Sequence, residues 1–125
     1  MEIKNKELFK QQCFVNGKWI NADNNEKIEV NNPATLEIIG SVPKCDANET
    51  KNAIDSANSA FKDWKNKTAK ERSIVIKKWH DLILENIDDL AHIMTVEQGK
   101  PLAEAKGEIL MGTTYIEFYA EEAKR

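Results

Sequence analysis

The sequence has no glycine-rich dinucleotide loop of the G-x-G-x-x-G kind, no H-E-x-x-H, no C-x-x-C and no Gly/Ser linker. Each absence removes a class. Without histidines at ligand spacing, zinc chemistry has no support, and His80 and His92 read as ordinary partly exposed side chains. The 2 cysteines, Cys13 and Cys45, stand far apart in sequence and without secretory context, so neither a disulfide nor a cysteine-based metal site is expected. As nucleophiles they lack an adjacent His or helix N-terminus; reduced, small buried or edge residues is the reading. The opening residues 1–7 alternate charges and hold no apolar run, which argues against an export signal and for a cytoplasmic chain. Accordingly, Asn48-Glu49-Thr50 and Asn66-Lys67-Thr68 read as capping and turn residues rather than glycosylation sites. Nor is there an excess of one charge. Lys and Arg number 18 against 21 Asp and Glu, a net charge of −3, and the lysines are scattered, so nucleic acid is not an expected partner.

What is present is a balanced composition, 31% charged and 41% hydrophobic, in 125 residues, enough for one domain with a modest core. It is the composition of a water-soluble globular chain rather than a membrane protein. Short strands open it. Cys13-Phe14-Val15 and Lys18-Trp19-Ile20 flank Asn16-Gly17, a dipeptide that accepts the positive φ angles of a two-residue hairpin turn. Ile28 and Val30 alternate with Lys27 and Glu29 in a third strand. Asn31 to Thr35 breaks it, and Ile38 to Val42 makes a fourth strand, ended by Pro43.

From Asp46 the apolar period becomes helical. Asp46 and Glu49 make a capping-box start, with Ile54, Ala57, Phe61 and Trp64 as the expected buried stripe. Thr68 and Glu71 repeat the signature and open a second helix with Val75, Trp79, Leu82 and Ile83 on one face. Its mixed charges, Lys77, Lys78 and Asp81 among them, do not suit a membrane surface. A third helix over 87–97 buries Leu90, Ile93 and Met94 and stops at Gly99; Pro101 starts a fourth. The expected fold is α/β in class and α+β within this segment: two hairpins over 13–43, then four helices over 46–125, with no linker between them.

The fourth helix is irregular in an informative way. Ile109, Leu110, Met111, Tyr115, Ile116, Phe118 and Tyr119 project around most of its circumference, so it requires cover on several sides that the preceding elements are too few to supply. The helical pattern also runs to Arg125 without a stop signal, which leads to the expectation of a truncated larger domain. Two chemical motifs in the helices dissolve on inspection. Gly107-x-x-x-x-Gly112-Thr113-Thr114 resembles a phosphate loop, but Thr113 stands where the Lys belongs and the stretch is helical. The carboxylate pairs Asp88-Asp89 and Glu121-Glu122 occupy adjacent helical positions, which diverge.

Several strings carry a family resemblance. TAKER at 68–72, EQGKPLAEAKGEI at 97–109 and FYAEEAKR at 118–125 are similar to bacterial succinate-semialdehyde dehydrogenases. Phe14-Val15-Asn16-Gly17-Lys18-Trp19, Asn32-Pro33-Ala34-Thr35 and Ile39-Gly40-Ser41-Val42-Pro43 resemble, in the same order, the opening hairpins of the aldehyde dehydrogenase superfamily. The resemblance implies the N-terminal part of a cofactor-binding domain within a several-fold longer NAD- or NADP-dependent oxidoreductase. In such enzymes a Cys thiolate attacks the aldehyde, hydride passes to the nicotinamide, and a Glu-activated water releases the acid. Those groups lie beyond the position matching Arg125, so no catalytic or cofactor-binding residue is expected here and the chain alone is expected to bind no cofactor and to be inactive. The resemblance also implies that Gly107 and Met111 line the wall of the aldehyde entrance tunnel. It further implies a monovalent cation near Val30, Asn31 and Glu97, held largely through carbonyl oxygens. The expected partners are a small aldehyde for the whole enzyme, and the enzyme's remainder as a second chain or another copy. The alternative is a non-enzymatic remnant or docking subunit that binds a protein through the fourth helix.

Overall fold

The computed structural model describes residues 2–125. These divide into two compact units, residues 10–66 and residues 67–125 together with the leading segment through Phe9. The division falls after the first helix, so that helix joins the hairpins.

In the first unit, β1 (Cys13–Val15) pairs antiparallel with β2 (Lys18–Ile20), placing Cys13 opposite Ile20 and Phe14 opposite Trp19. The turn between them has φ of 49° at Asn16 and 76° at Gly17, the left-handed pair that matches the twist of a tight hairpin. The Phe14 and Trp19 rings meet at 5.1 Å, and the Lys10 ammonium lies 5.5 Å over the Trp19 ring. The second hairpin joins β3 (Lys27–Asn31) to β4 (Ile38–Pro43), with a register shift between Val30 and Asn31 that marks a bulge. Its loop is held by Asn32, whose side chain accepts the Ala34 N–H at 2.9 Å while its main-chain oxygen accepts from Leu36 at 2.7 Å.

Helix α1 (Ala47–Asn66) starts as the sequence indicates. The Asp46 carboxylate accepts the Asn48 N–H at 2.7 Å, and Glu49 reaches back to the Asp46 N–H at 3.0 Å. Its expected stripe requires correction. Ile54, Ala57 and Phe61 are exposed and Trp64 is half-buried; Glu49, Ala53 and Ser56 turn inward instead. Two short hairpins offer too little surface to cover a helix of 20 residues.

The second unit packs α2 (Ala69–Glu85), α3 (Ile87–Gln98) and α4 (Leu102–Glu122). Thr68 caps α2 reciprocally: its hydroxyl oxygen accepts the Glu71 N–H at 3.2 Å, and Glu71 accepts the Thr68 N–H at 2.7 Å. Gly99 ends α3 at φ 72°, with its N–H donated to the Thr95 carbonyl at 2.8 Å. The leading segment is tied here by Asp89, whose carboxylate accepts the Lys4 and Asn5 N–H groups at 2.9 and 2.8 Å. As expected, Leu90, Ile93 and Met94 face inward on α3, around a fully buried Ala91.

On α2 the expected face is displaced. Of the expected face only Ile83 turns inward, in a row with Ser73, Ile76 and His80, whereas Val75, Trp79 and Leu82 are about half exposed. At 100° per residue the two rows lie roughly a third of a turn apart. The row that carries Ser73 wins because a small residue lets α2 approach α4, and Lys77 then pairs with Glu121 across that contact.

Among the described residues the fully buried apolar side chains of the second unit are Ala91, Ala105 and Ala120, and Ala22 is buried in the first. Large apolar side chains instead remain open, from Val42 at 39% to Leu36 at 75%. No described helix is long and apolar enough to cross a membrane.

Candidate functional site

Helix α4 has two opposed faces. Ala105, Ile109, Thr113, Ile116 and Ala120 follow spacings of three and four and are buried or half-buried against α2 and α3. Gly107, Met111, Tyr115 and Phe118 follow the same spacings on a row centred roughly half a turn away. That row is open: Met111 is 59%, Tyr115 58% and Phe118 55% exposed. A Cβ added at Gly107 would meet nothing within 4 Å, so the glycine leaves a smooth stretch of helix backbone beside Met111. The two residues named as tunnel wall therefore share one exposed, largely apolar helix face.

Between α2, α3 and α4 lies an open groove of about 470 Å³ lined chiefly by Ile83, Leu90, Ile93, Met94, Ile109 and Ile116. Glu97 and Gln98, at the end of α3, also border it. Gly112 contributes bare backbone, and the buried Thr113 hydroxyl is turned back onto the Leu110 carbonyl at 2.7 Å. One polar atom in α3 stays without a partner among the described residues, the buried Thr95 hydroxyl. The groove holds a carboxylate at its border but no nucleophile and no histidine, so it is suited to receive apolar groups rather than to perform chemistry.

The residues expected near a monovalent cation belong to different units. Val30 and Asn31 are neighbours at the bulge of β3, the first half-buried and the second exposed; Glu97 is exposed and belongs to the helical unit. Among the described residues no group of three or more His, Cys, Asp or Glu side chains is placed to hold a metal ion. His80 is half-buried against Asp81, at 2.9 Å, and His92 is half-buried on α3. The phosphate-loop lookalike from Gly107 to Thr114 lies wholly inside α4, where its amides are committed to the helix ladder. These described residues do not make a pyrophosphate cradle.

Sequence reasoning missed two features. Cys13 and Cys45, read as standing alone, have their sulfurs 3.8 Å apart, both half-buried and free. Glu49 does more than cap α1. It is 6% exposed, and its second oxygen accepts the Asp23 N–H at 2.8 Å. A hydrogen bond with the Asp46 side chain, followed by the main-chain N–H groups of Asp23 and Asp46, outweighs burial and holds its carboxyl at about 2. Neither contact leaves a signal in sequence, since each joins positions 26 or more apart.

Comparison with known proteins extends these observations. The sequence model described as the aldehyde dehydrogenase family matches residues 19–125. The chain is 56% identical over 125 residues to a glutarate-semialdehyde dehydrogenase of Pseudomonas aeruginosa, covering 100% of this chain and 26% of that protein. It is 52% identical over 125 residues to an NADP(+) succinate-semialdehyde dehydrogenase of Escherichia coli, with 100% and 26% covered. The crystal structure of a succinate-semialdehyde dehydrogenase from Burkholderia pseudomallei superposes with a TM-score of 0.97 at 49% identity, over 100% of this chain and 26% of that one. An Escherichia coli NADP-dependent enzyme superposes at 0.98 with 52% identity, over 99% and 26%. The chain thus spans about a quarter of the length of the relatives it matches.

Proposed function

The chain belongs to the aldehyde dehydrogenase family, and from that premise we propose that it serves as the N-terminal segment of the cofactor domain in an NAD- or NADP-dependent dehydrogenase. The proposed reaction is oxidation of succinate semialdehyde to succinate in the cytoplasm. The observation that carries this reading is the open face of α4, with Gly107 and Met111 one turn apart and opposite the buried seam of the same helix. Such a face offers apolar contact to a small aldehyde, with the exposed Glu104 and Glu108 bordering it. The naming of relatives for succinate and glutarate semialdehydes supports a short aldehyde carrying a carboxylate.

The part assigned to these residues is binding and exclusion. Gly107 keeps the wall flat, Met111 adapts to the substrate's methylene chain, and Tyr115 and Phe118 extend the apolar surface that keeps water away. When bound, the nicotinamide supplies the hydride acceptor. The nucleophile and base that complete the reaction are assigned to residues outside this sequence, so the isolated chain is proposed to be inactive and to bind no nicotinamide. A monovalent cation near Val30, Asn31 and Glu97, held largely through carbonyl oxygens, is proposed for the whole enzyme.

The test is NAD(P)H formation with succinate semialdehyde, using this chain alone and mixed with the separately expressed remainder of a related enzyme. Activity only in the mixture agrees with the proposal; turnover by the chain alone that is lost when both cysteines are replaced by Ser overturns the assignment of the nucleophile elsewhere, whereas turnover that survives the replacement points to a contaminating enzyme. A second reading is favoured by the breadth of exposed apolar surface on α4: a non-enzymatic subunit that docks on another protein. Association with the remainder without any gain of activity would favour it.

A further inference from the structure

We propose that Cys13 and Cys45 form a reversible intramolecular disulfide, a redox-controlled staple that joins the first strand of the N-terminal unit to the entrance of α1. Their sulfurs stand 3.8 Å apart. A disulfide requires about 2.05 Å, so the two must approach by a little under 2 Å, within reach of side-chain rotation. Main-chain bonding fixes both ends. Cys13 sits in the ladder opposite Ile20. Cys45 is bracketed by Lys44, whose N–H donates to the Glu26 carbonyl at 2.9 Å, and by Asp46, whose N–H donates to Glu49 at 3.0 Å. The thiols are thereby held as near neighbours although 32 positions separate them, and both are partly open to solvent. Proximity of this kind converts disulfide formation into an intramolecular step.

The surroundings set how the pair reacts. The Cys45 thiol donates to a lone pair of the Cys13 sulfur, so the two sulfurs face one another. Burial, the hydrogen bond to Cys13, and then the charges of Cys13, Glu49 and Asp23 push the Cys45 thiol up, keeping it protonated at rest. A hydroperoxide then transfers one oxygen to the Cys13 sulfur, leaving as the alcohol, or as water when the oxidant is hydrogen peroxide. The Cys45 sulfur attacks the sulfenic sulfur; the S–S bond forms, the S–OH bond breaks, and the hydroxyl departs as water with the Cys45 proton. The two thiols together lose two protons and two electrons, which reduce the peroxide. The product closes a loop containing both hairpins, which restricts the unfolded chain and makes the N-terminal unit harder to melt.

The test is treatment of the reduced, purified chain with hydrogen peroxide, followed by non-reducing peptide mapping, thiol counting and thermal melting. The expected result is a Cys13–Cys45 cross-linked peptide in a monomeric chain, both thiols lost together and restored by dithiothreitol, and a Tm higher by at least about 5 °C. Cross-linking in the folded chain should run at least about tenfold faster than in urea-unfolded chain. The single variants Cys13→Ser and Cys45→Ser should show no rise in Tm on oxidation. Independent oxidation of the two sulfurs to sulfinic acid, a disulfide between two chains as the main product, or equal rates in folded and unfolded chain would each overturn the proposal.

Discussion

The Glu49 carboxylate accepts the Asp23 N–H at 2.8 Å, joining the turn after the first hairpin to the opening turn of α1. Its other oxygen satisfies Asp46 at 3.0 Å, so one buried side chain pairs donors from two segments. The folded value of about 2 lies below the ordinary 4.5, as does that of Glu121, where hydrogen bonds from Lys124 and then Lys77 act. A depressed carboxyl contributes stability that is complete above the unfolded value and is lost as pH falls towards the folded one. Tm should therefore hold from pH 7 to about 5 and drop between about 4.5 and 2. Glu49→Gln should lower Tm at pH 7 and flatten that drop. Added salt should weaken the Glu121 contribution, which is exposed, more than that of Glu49.

Gly99 occupies φ 72° at the end of α3, where a side chain meets its own backbone. Gly99→Ala should destabilise the helical unit by about 1 kcal/mol, read as a lower urea midpoint with unchanged slope.

Thr95 carries a buried hydroxyl without a partner among the described residues. Thr95→Val keeps the shape and removes the unpaired polar atom. The urea midpoint should rise, by about 1 kcal/mol of stability, and a fall would show that the hydroxyl is satisfied in solution.

The two faces of α4 predict opposite tolerance. Ala105→Leu forces three carbon atoms into a fully enclosed site and should cost about 1–3 kcal/mol. Met111→Ala, on the open face, should change stability by less than about 0.5 kcal/mol. In a complemented enzyme the order should reverse for substrate, with Met111→Ala raising KM for succinate semialdehyde while Ala105→Leu acts through folding. Equal stability losses at both positions would remove the distinction between seam and open face.

Local chemistry was legible in the sequence because it involves residues within a few positions of one another. Asn16-Gly17 specifies a left-handed turn, Thr68 and Glu71 a reciprocal cap, and Gly99 a helix end, whatever else surrounds them. The i, i+4 relation that puts Gly107 beside Met111 is equally local. Which apolar row α2 buries was not legible, since it carries two such rows and packing with α4 selected between them. The stripe of α1 failed for a related reason: periodicity marks the face that seeks cover, not whether the unit supplies it. The groove needs side chains from three helices, the Glu49 bridge spans 26 positions, and the cysteine pair spans 32. Those relationships arise only when distant segments are packed, so local chemistry sets the elements and their ends, while packing chooses which surfaces meet and which thiols become neighbours.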